Sequence, residues 1–255
     1  MCGRFTVTSS PEAIRALFRY PQRPNFPPRY NIAPTQPIAV VRLNEGKREF
    51  LLMRWGLLPS WVKEPKTFSL LINARGESVT EKPAFRAAMK YRRCLIPADG
   101  FYEWQATGGR KQPYYVRARS GKPLAFAGLW ETWTGPNGEE LDTVTIVTTE
   151  ANRTLSPIHG RMPVIIPEQA SDLWLNCADV DDLTASALIM PAPEDLLEAY
   201  AISTDVNRVA NDSAKLLEPL AVAVETAAEG KTARQKQPAV RAERDKKNSD
   251  QGVLF

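Results

Sequence analysis

The sequence predicts an α+β fold, and three observations carry the prediction. Runs rich in β-formers recur at short intervals between Ile38 and Thr148, punctuated by Gly, Pro and Asn turns. Helical spacing is confined to short stretches near residue 11, near residue 85 and after Pro167. At 255 residues, 43% of them hydrophobic, the chain is long enough for one substantial core, in one domain or two.

Ser9-Ser10-Pro11-Glu12 reads as a helix start, with Ser10 as cap and Pro11 at the first helical position, leading into a short amphipathic helix through Arg19. Pro21 to Pro34 is proline-rich and carries Tyr30-Asn31-Ile32-Ala33-Pro34, an extended or turning connection. Ile38 to Leu43 and Arg48 to Trp55 read as strands joined into a hairpin by Asn44-Glu45-Gly46-Lys47. Trp55, at a strand end, is expected in the core. Trp61, in a polar, Pro-flanked loop, is a candidate for an exposed ring that stacks on a base. The apolar run Leu70-Leu71-Ile72 reads as a buried strand, with Asn73-Ala74-Arg75-Gly76-Glu77 placed just beyond it where sites are usually built. Pro83 to Lys90 has helical spacing.

Cys94 sits in an apolar strand and reads as a small core residue. In the stretch Phe101 to Trp104, strand alternation points Glu103 with Phe101 to one side and Tyr102 with Trp104 to the other. A carboxylate in such apolar surroundings has a raised pKa, which suits proton transfer near neutrality; the alternative is a solvent-facing Glu on an edge strand. Tyr114 to Arg119, Pro123 to Trp130 and Leu141 to Thr148 continue the strands, with Pro136-Asn137-Gly138 as a turn. His159, the only histidine, lies in a Gly- and Pro-flanked loop beside Arg161, ahead of the strand Val164-Ile165-Ile166. That setting favours a functional imidazole over a buried structural one, and a single His cannot build a multi-histidine metal site. Pro167 to Leu197 reads as mainly helical, with Ala201 to Thr204 and Leu217 to Val224 as last pieces of sheet. Beyond about Glu225 a disordered basic tail is expected.

Composition removes several function classes. No apolar run approaches the roughly 18 residues of a membrane span, and no signal pattern opens the chain, so a soluble, cytoplasmic protein is expected, nucleoid-associated if bacterial. Cys2, Cys94 and Cys177 are odd in number and far apart, which argues against disulfides and paired metal ligands; no metal or cofactor is implied. Between Lys231 and Asp250 seven Lys or Arg stand against three Asp or Glu, a surplus equal to the net charge of +4 of the whole chain. The folded part is therefore near neutral, and DNA binding by it needs a local basic groove.

The chemistry concentrates at Met1-Cys2-Gly3-Arg4-Phe5. With Met1 removed, Cys2 carries an α-amine of pKa about 7.7 to 8.0 beside a thiol of pKa about 8.5. The amine can condense with an aldehyde to an imine, and the thiol can then close a five-membered thiazolidine. Gly3 leaves room for the substrate, while Arg4 sets a permanent cation next to the nucleophile.

Seven segments in order, MCGRF, YNIAP, WGLLPSW, NARGE, CLIPADGFYEW, AGLW and IHGRMPVII, make the chain resemble the SOS-response-associated peptidase (SRAP) family, whose members form covalent links to abasic sites in single-stranded DNA. The resemblance implies a single domain, residues 1–224, with a strongly bent antiparallel sheet forming a barrel-like core. It implies that Cys2 attacks the open-chain aldehyde, Asn73 positions Cys2, Glu103 shuttles protons and His159 assists ring opening and imine chemistry. It also implies that Arg75 contacts phosphate, that Arg4 and Arg161 line the DNA site and that Trp61 wedges against bases. Autocatalytic removal of Met1 and an abasic-site lyase activity come with the same family, and a monomer is expected. Two other classes stay open: an N-terminal-nucleophile amidohydrolase, since glutamine amidotransferases also begin Met-Cys-Gly, and a non-covalent reader of modified DNA. Finally, residues 225–255 end in Gln251-Gly252-Val253-Leu254-Phe255, similar to peptides that dock on the replication sliding clamp through a Gln and a Leu-Phe pair, here Gln251, Leu254 and Phe255.

Overall fold

The computed structural model describes residues 2–220; the expected domain boundary at 224 and the clamp-binding peptide lie outside the described residues. The elements in order are β1 (Phe5–Val7), α1 (Pro11–Phe18), β2 (Arg29–Ile32), β3 (Pro37–Asn44), β4 (Lys47–Trp55), β5 (Asn73–Arg75), α2 (Arg86–Tyr91), β6 (Arg93–Ala98), β7 (Gly100–Thr107), β8 (Arg110–Ala118), β9 (Leu124–Thr134), β10 (Glu140–Glu150), β11 (Arg161–Pro163), α3 (Ser171–Leu175), α4 (Asp182–Ser186) and β12 (Leu197–Ala201). Strands β10, β4, β3, β6 and β9 follow one another, and β9 pairs back onto β10, so these five close into a barrel. A second sheet, in the order β12-β8-β7-β1-β2, carries the chain's first strand. The fold is α+β with the barrel-like core the sequence implies, although the sheet is mixed: β10 runs parallel to both β4 and β5.

Local sequence explains the joints. The Ser10 side chain accepts the Ala13 N–H at the start of α1, and Arg19 in the left-handed region ends it. Glu45 and Gly46 both have positive φ, 48° and 75°, as a two-residue hairpin turn between β3 and β4 requires. Asp99 divides β6 from β7; its carboxylate accepts the backbone N–H groups of Thr8 and Ser9, so the chain leaves the barrel and enters the second sheet at that residue. Gly100 is needed there, because a Cβ would lie 2.4 Å from the Tyr115 ring and 2.6 Å from the Val116 carbonyl oxygen. This close approach fixes the height at which β7 presents Glu103. Arg93, almost fully buried, is satisfied by the carbonyls of Met89, Trp174, Asn176 and Val180, and so ties α2 to the segment after α3.

Several boundaries differ from the sequence reading. Leu70 to Ile72 is not the buried strand: Leu70 is 41% exposed, and Asn73–Arg75 itself pairs with Ile146 to Thr148 of β10. The strand near Val164 is Arg161–Pro163, after which Val164 and Ile166 donate to the carbonyls of Val147 and Ala125 as the chain crosses between β10 and β9. Between Pro167 and Leu197 the only α-helices are the five-residue α3 and α4, with a 3₁₀ turn at Glu168–Ala170 ahead of α3 and Pro191 and Pro193 blocking continuation. The last strand begins earlier, at Leu197, because that residue and Ala199 fill the core beside β8. Among the described residues no helix is long and apolar enough to cross a membrane.

Candidate active site at the chain start

β1 delivers Cys2. Phe5, fully buried, pairs with Phe101, and the Tyr102 N–H donates to the Arg4 carbonyl at 3.0 Å, so the residues ahead of Phe5 run alongside Glu103. Alternation along β7 is as read from the sequence: Phe101 packs into the main core, while Tyr102 and Trp104 join a separate aromatic cluster with Tyr115 and Tyr200. Glu103 is buried, and that burial pushes its carboxyl up to about 7.

β5 delivers Asn73, whose Nδ2 donates to the Cys2 carbonyl at 3.0 Å. The chain segment between β10 and β11 delivers His159. The Arg161 backbone N–H donates to His159 Nδ1 at 3.0 Å, and the Arg161 carbonyl oxygen lies 3.3 Å from the same nitrogen; the shorter contact favours the tautomer with its proton on Nε2. The same Nδ1 lies 4.0 Å from Glu103 Oε2. Desolvation lowers the pKa of His159, favouring the neutral imidazole. Cys2 is buried, and burial, reinforced by the Glu103 charge, holds its thiol far above the ordinary cysteine range. A cleft of about 430 Å³ opens beside this cluster, lined by Glu103, Trp104, Lys111, His159 and Asn207.

The four residues read as chemical, Cys2, Asn73, Glu103 and His159, therefore converge. The basic residues divide. Arg75 is exposed at the end of β5. Arg4 is turned inward: its guanidinium donates to Asn31 Oδ1 at 2.8 Å and to the Val206 carbonyl at 2.9 Å. Arg161 is bound to Glu77 and Thr148. Trp61 is 58% exposed in the loop between β4 and β5, with its ring edge-on to Phe68 at 5.7 Å. Sequence reasoning gave no role to Glu77, Trp104, Lys111 or Asn207. Glu77 and Trp104 close two of the matching segments and could have been noticed; Lys111 and Asn207 reach the cleft only through folding.

A family model described as SOS response associated peptidase (SRAP) matches residues 1–209, a span that contains every residue of the cluster. The chain belongs to this family. Its relatives include the abasic site processing protein YoqW of Bacillus subtilis (strain 168), 41% identical over 223 residues, covering 86% of this chain and 99% of that protein. The abasic site processing protein HMCES of Gallus gallus is 32% identical over 268 residues, covering 88% of this chain and 79% of its own. Among solved structures, a protein from Bacteroides thetaiotaomicron superposes with a TM-score of 0.73 at 25% identity, over 80% of this chain and 93% of the other. One from Bordetella bronchiseptica gives 0.71 at 27% identity, over 79% and 100%. The candidate site is assembled from the lead-in to β1, the start of β5, the middle of β7 and the loop before β11. It offers a carboxyl that titrates near neutrality, a neutral imidazole and a cysteine at position two.

Proposed function

We propose that this chain senses and shields abasic sites in single-stranded DNA by capturing them covalently through Cys2, once Met1 has been removed. The observation that carries the reading is a single cluster: Asn73 bonded to the carbonyl of the buried Cys2, and beside it a carboxyl of pKa about 7 and the His159 ring, these last two lining the cleft.

The abasic sugar is mostly a closed hemiacetal, so the first requirement is ring opening. His159 Nε2–H can hydrogen-bond to the ring oxygen while Glu103 takes the proton of the C1′ hydroxyl and passes it to that oxygen as the C1′–O bond breaks. Burial keeps the Cys2 thiol protonated at neutral pH, so the α-amine is the first nucleophile and the thiol the second. The amine adds to the C1′ aldehyde; protonated Glu103 then gives its proton to the carbinolamine hydroxyl, water leaves and an imine forms. The thiol next adds to the imine carbon and its proton passes to the imine nitrogen through Glu103. One C–N and one C–S bond form, and one water is lost. Asn73 holds the Cys2 carbonyl so that both nucleophiles face the same carbon. Arg75 supports the flanking phosphates, and Arg4 shapes the entry by tying β1 to the 204–207 turn.

The same groups serve two further activities in this reading. Glu103 can activate water against the Met1 carbonyl to liberate Cys2. From the imine, proton loss at C2′ expels the 3′ phosphate, which is lyase chemistry. Residues 1–224 act as the catalytic unit and residues 225–255 as a basic tether whose last five residues dock on a sliding clamp, raising local concentration at replicating DNA. Denaturing electrophoresis with an abasic oligonucleotide tests the central step: wild type gives a shifted band and Cys2→Ala none. A band of equal strength from Cys2→Ala overturns the proposal, and ammonia release from glutamine in its place supports the amidohydrolase.

A further inference from the structure

Arg161 makes contacts that a DNA-facing arginine would not need. Its guanidinium meets Glu77 in a two-point fork, at 2.5 and 2.9 Å, and also donates to the Thr148 carbonyl at 2.7 Å and the Thr148 hydroxyl at 3.1 Å. The arginine side chain is 17% exposed, and both of its terminal nitrogens are engaged in these contacts. Topology explains the meeting. Thr148 of β10 has Arg75 of β5 opposite it on one side and Pro163 of β11 on the other, so the turn after β5 and the start of β11 flank one strand end. Gly76 lets that turn sit close, since a Cβ there would lie 2.2 Å from Ile189 Cγ2. The backbone of the same Arg161 presents the N–H that holds His159 Nδ1.

We propose that Glu77 is a positioning residue: by gripping Arg161 it fixes the backbone that orients His159, and it joins the Asn73 side of the site to the His159 side. A fork of two parallel hydrogen bonds fixes the plane of the guanidinium as well as its distance, which a single contact does not. The hydrogen bonds from Arg161 in turn hold the Glu77 carboxyl below the usual range, so the pair is intact at neutral pH. Glu77 touches no reacting atom in this arrangement; it acts through the imidazole.

The inference rests on the crosslinking reading, but one of its tests does not. His159 is the only histidine, so ¹⁵N-histidine labelling reports its tautomer without ambiguity. In wild type at pH 7.5 the neutral ring is expected to carry its proton on Nε2, and in Glu77→Gln it is expected to become a mixture of tautomers. With an abasic oligonucleotide, Glu77→Gln is expected to slow crosslinking about tenfold or more, as small misplacements at a reacting site do. Affinity for the same strand carrying a tetrahydrofuran analogue, which has no aldehyde, is expected to change less than twofold. The double variant Glu77→Gln with Arg161→Met should be no slower than Arg161→Met alone, because the two residues act as one unit. A folded Glu77→Gln protein with unchanged tautomer and unchanged rate overturns the inference, as does a lower melting temperature with wild-type rate and pH profile. Tighter analogue binding at unchanged rate also overturns it, since Glu77 would then be a shield over Arg161. If wild type itself forms no crosslink, the preceding proposal fails, and the tautomer measurement still decides this one.

Discussion

Replacing Glu103 by Gln is expected to make the protein more stable at alkaline pH while disabling its chemistry. The carboxyl rises from 4.5 in the unfolded chain to about 7 when buried in the fold. A group whose folded pKa is raised binds its proton more tightly in the native state, so native stability is greatest below about pH 4.5 and declines as pH climbs through 7. At 1.36 kcal/mol per unit of pKa, the ionised carboxylate costs the fold about 3 kcal/mol at pH 8 as an upper estimate. Gln keeps the shape and never ionises. Urea unfolding should therefore give nearly equal stabilities at pH 4.5, and a Glu103→Gln protein more stable than wild type by about 1 to 3 kcal/mol at pH 8. Crosslinking should be slowed across the whole range, because no other carboxyl among those lining the cleft can carry the proton. A variant less stable than wild type at pH 8, or a stability difference that does not change with pH, refutes the placement of a neutral-pH carboxyl at this position.

Arg75→Ala should weaken binding to single-stranded DNA almost uniformly across sequences and reduce the slope of log affinity against log salt by about one, measured by fluorescence anisotropy at several ionic strengths. Trp61→Ala should leave the melting temperature unchanged, since the ring is mostly exposed, and lose about 1 to 3 kcal/mol of strand binding if it stacks on a base. Deleting residues 251–255 should abolish binding to a sliding clamp in surface plasmon resonance while the crosslinking rate stays at the wild-type value.

How much was legible beforehand follows from the range of the interactions. The β3–β4 hairpin, α1 and the alternation of β7 are set by neighbours in sequence: a cap at Ser10, a Glu-Gly turn with positive φ, a two-residue period through Phe101 and Glu103. That Cys2, Asn73, Glu103 and His159 would lie together was expected from the segments that carry the family resemblance, and the structure does bring them together. What could not be read were long-range choices. Asn73 to Arg75 looks like a loop after an apolar run, yet it forms a parallel strand because β10 offers it an edge more than seventy residues away. Pro167 to Leu197 carries helical periodicity, but Trp174, Leu175 and Ala185 reach one buried cluster from two short helices instead of one long one. Arg4 and Arg161 are expected at the DNA site from the family resemblance; their partners inside the chain, Asn31 and Val206 for the first and Glu77 and Thr148 for the second, only the fold reveals.

The claim on which the rest depends is that the nitrogen and sulfur of Cys2 become one ring with a sugar carbon. Intact mass spectrometry of the purified protein, before and after mixing with an abasic oligonucleotide, addresses it directly. The expected spectrum is lighter than the encoded chain by one methionine residue, and then heavier by the oligonucleotide less one water. A retained methionine, or no added mass after incubation, contradicts it.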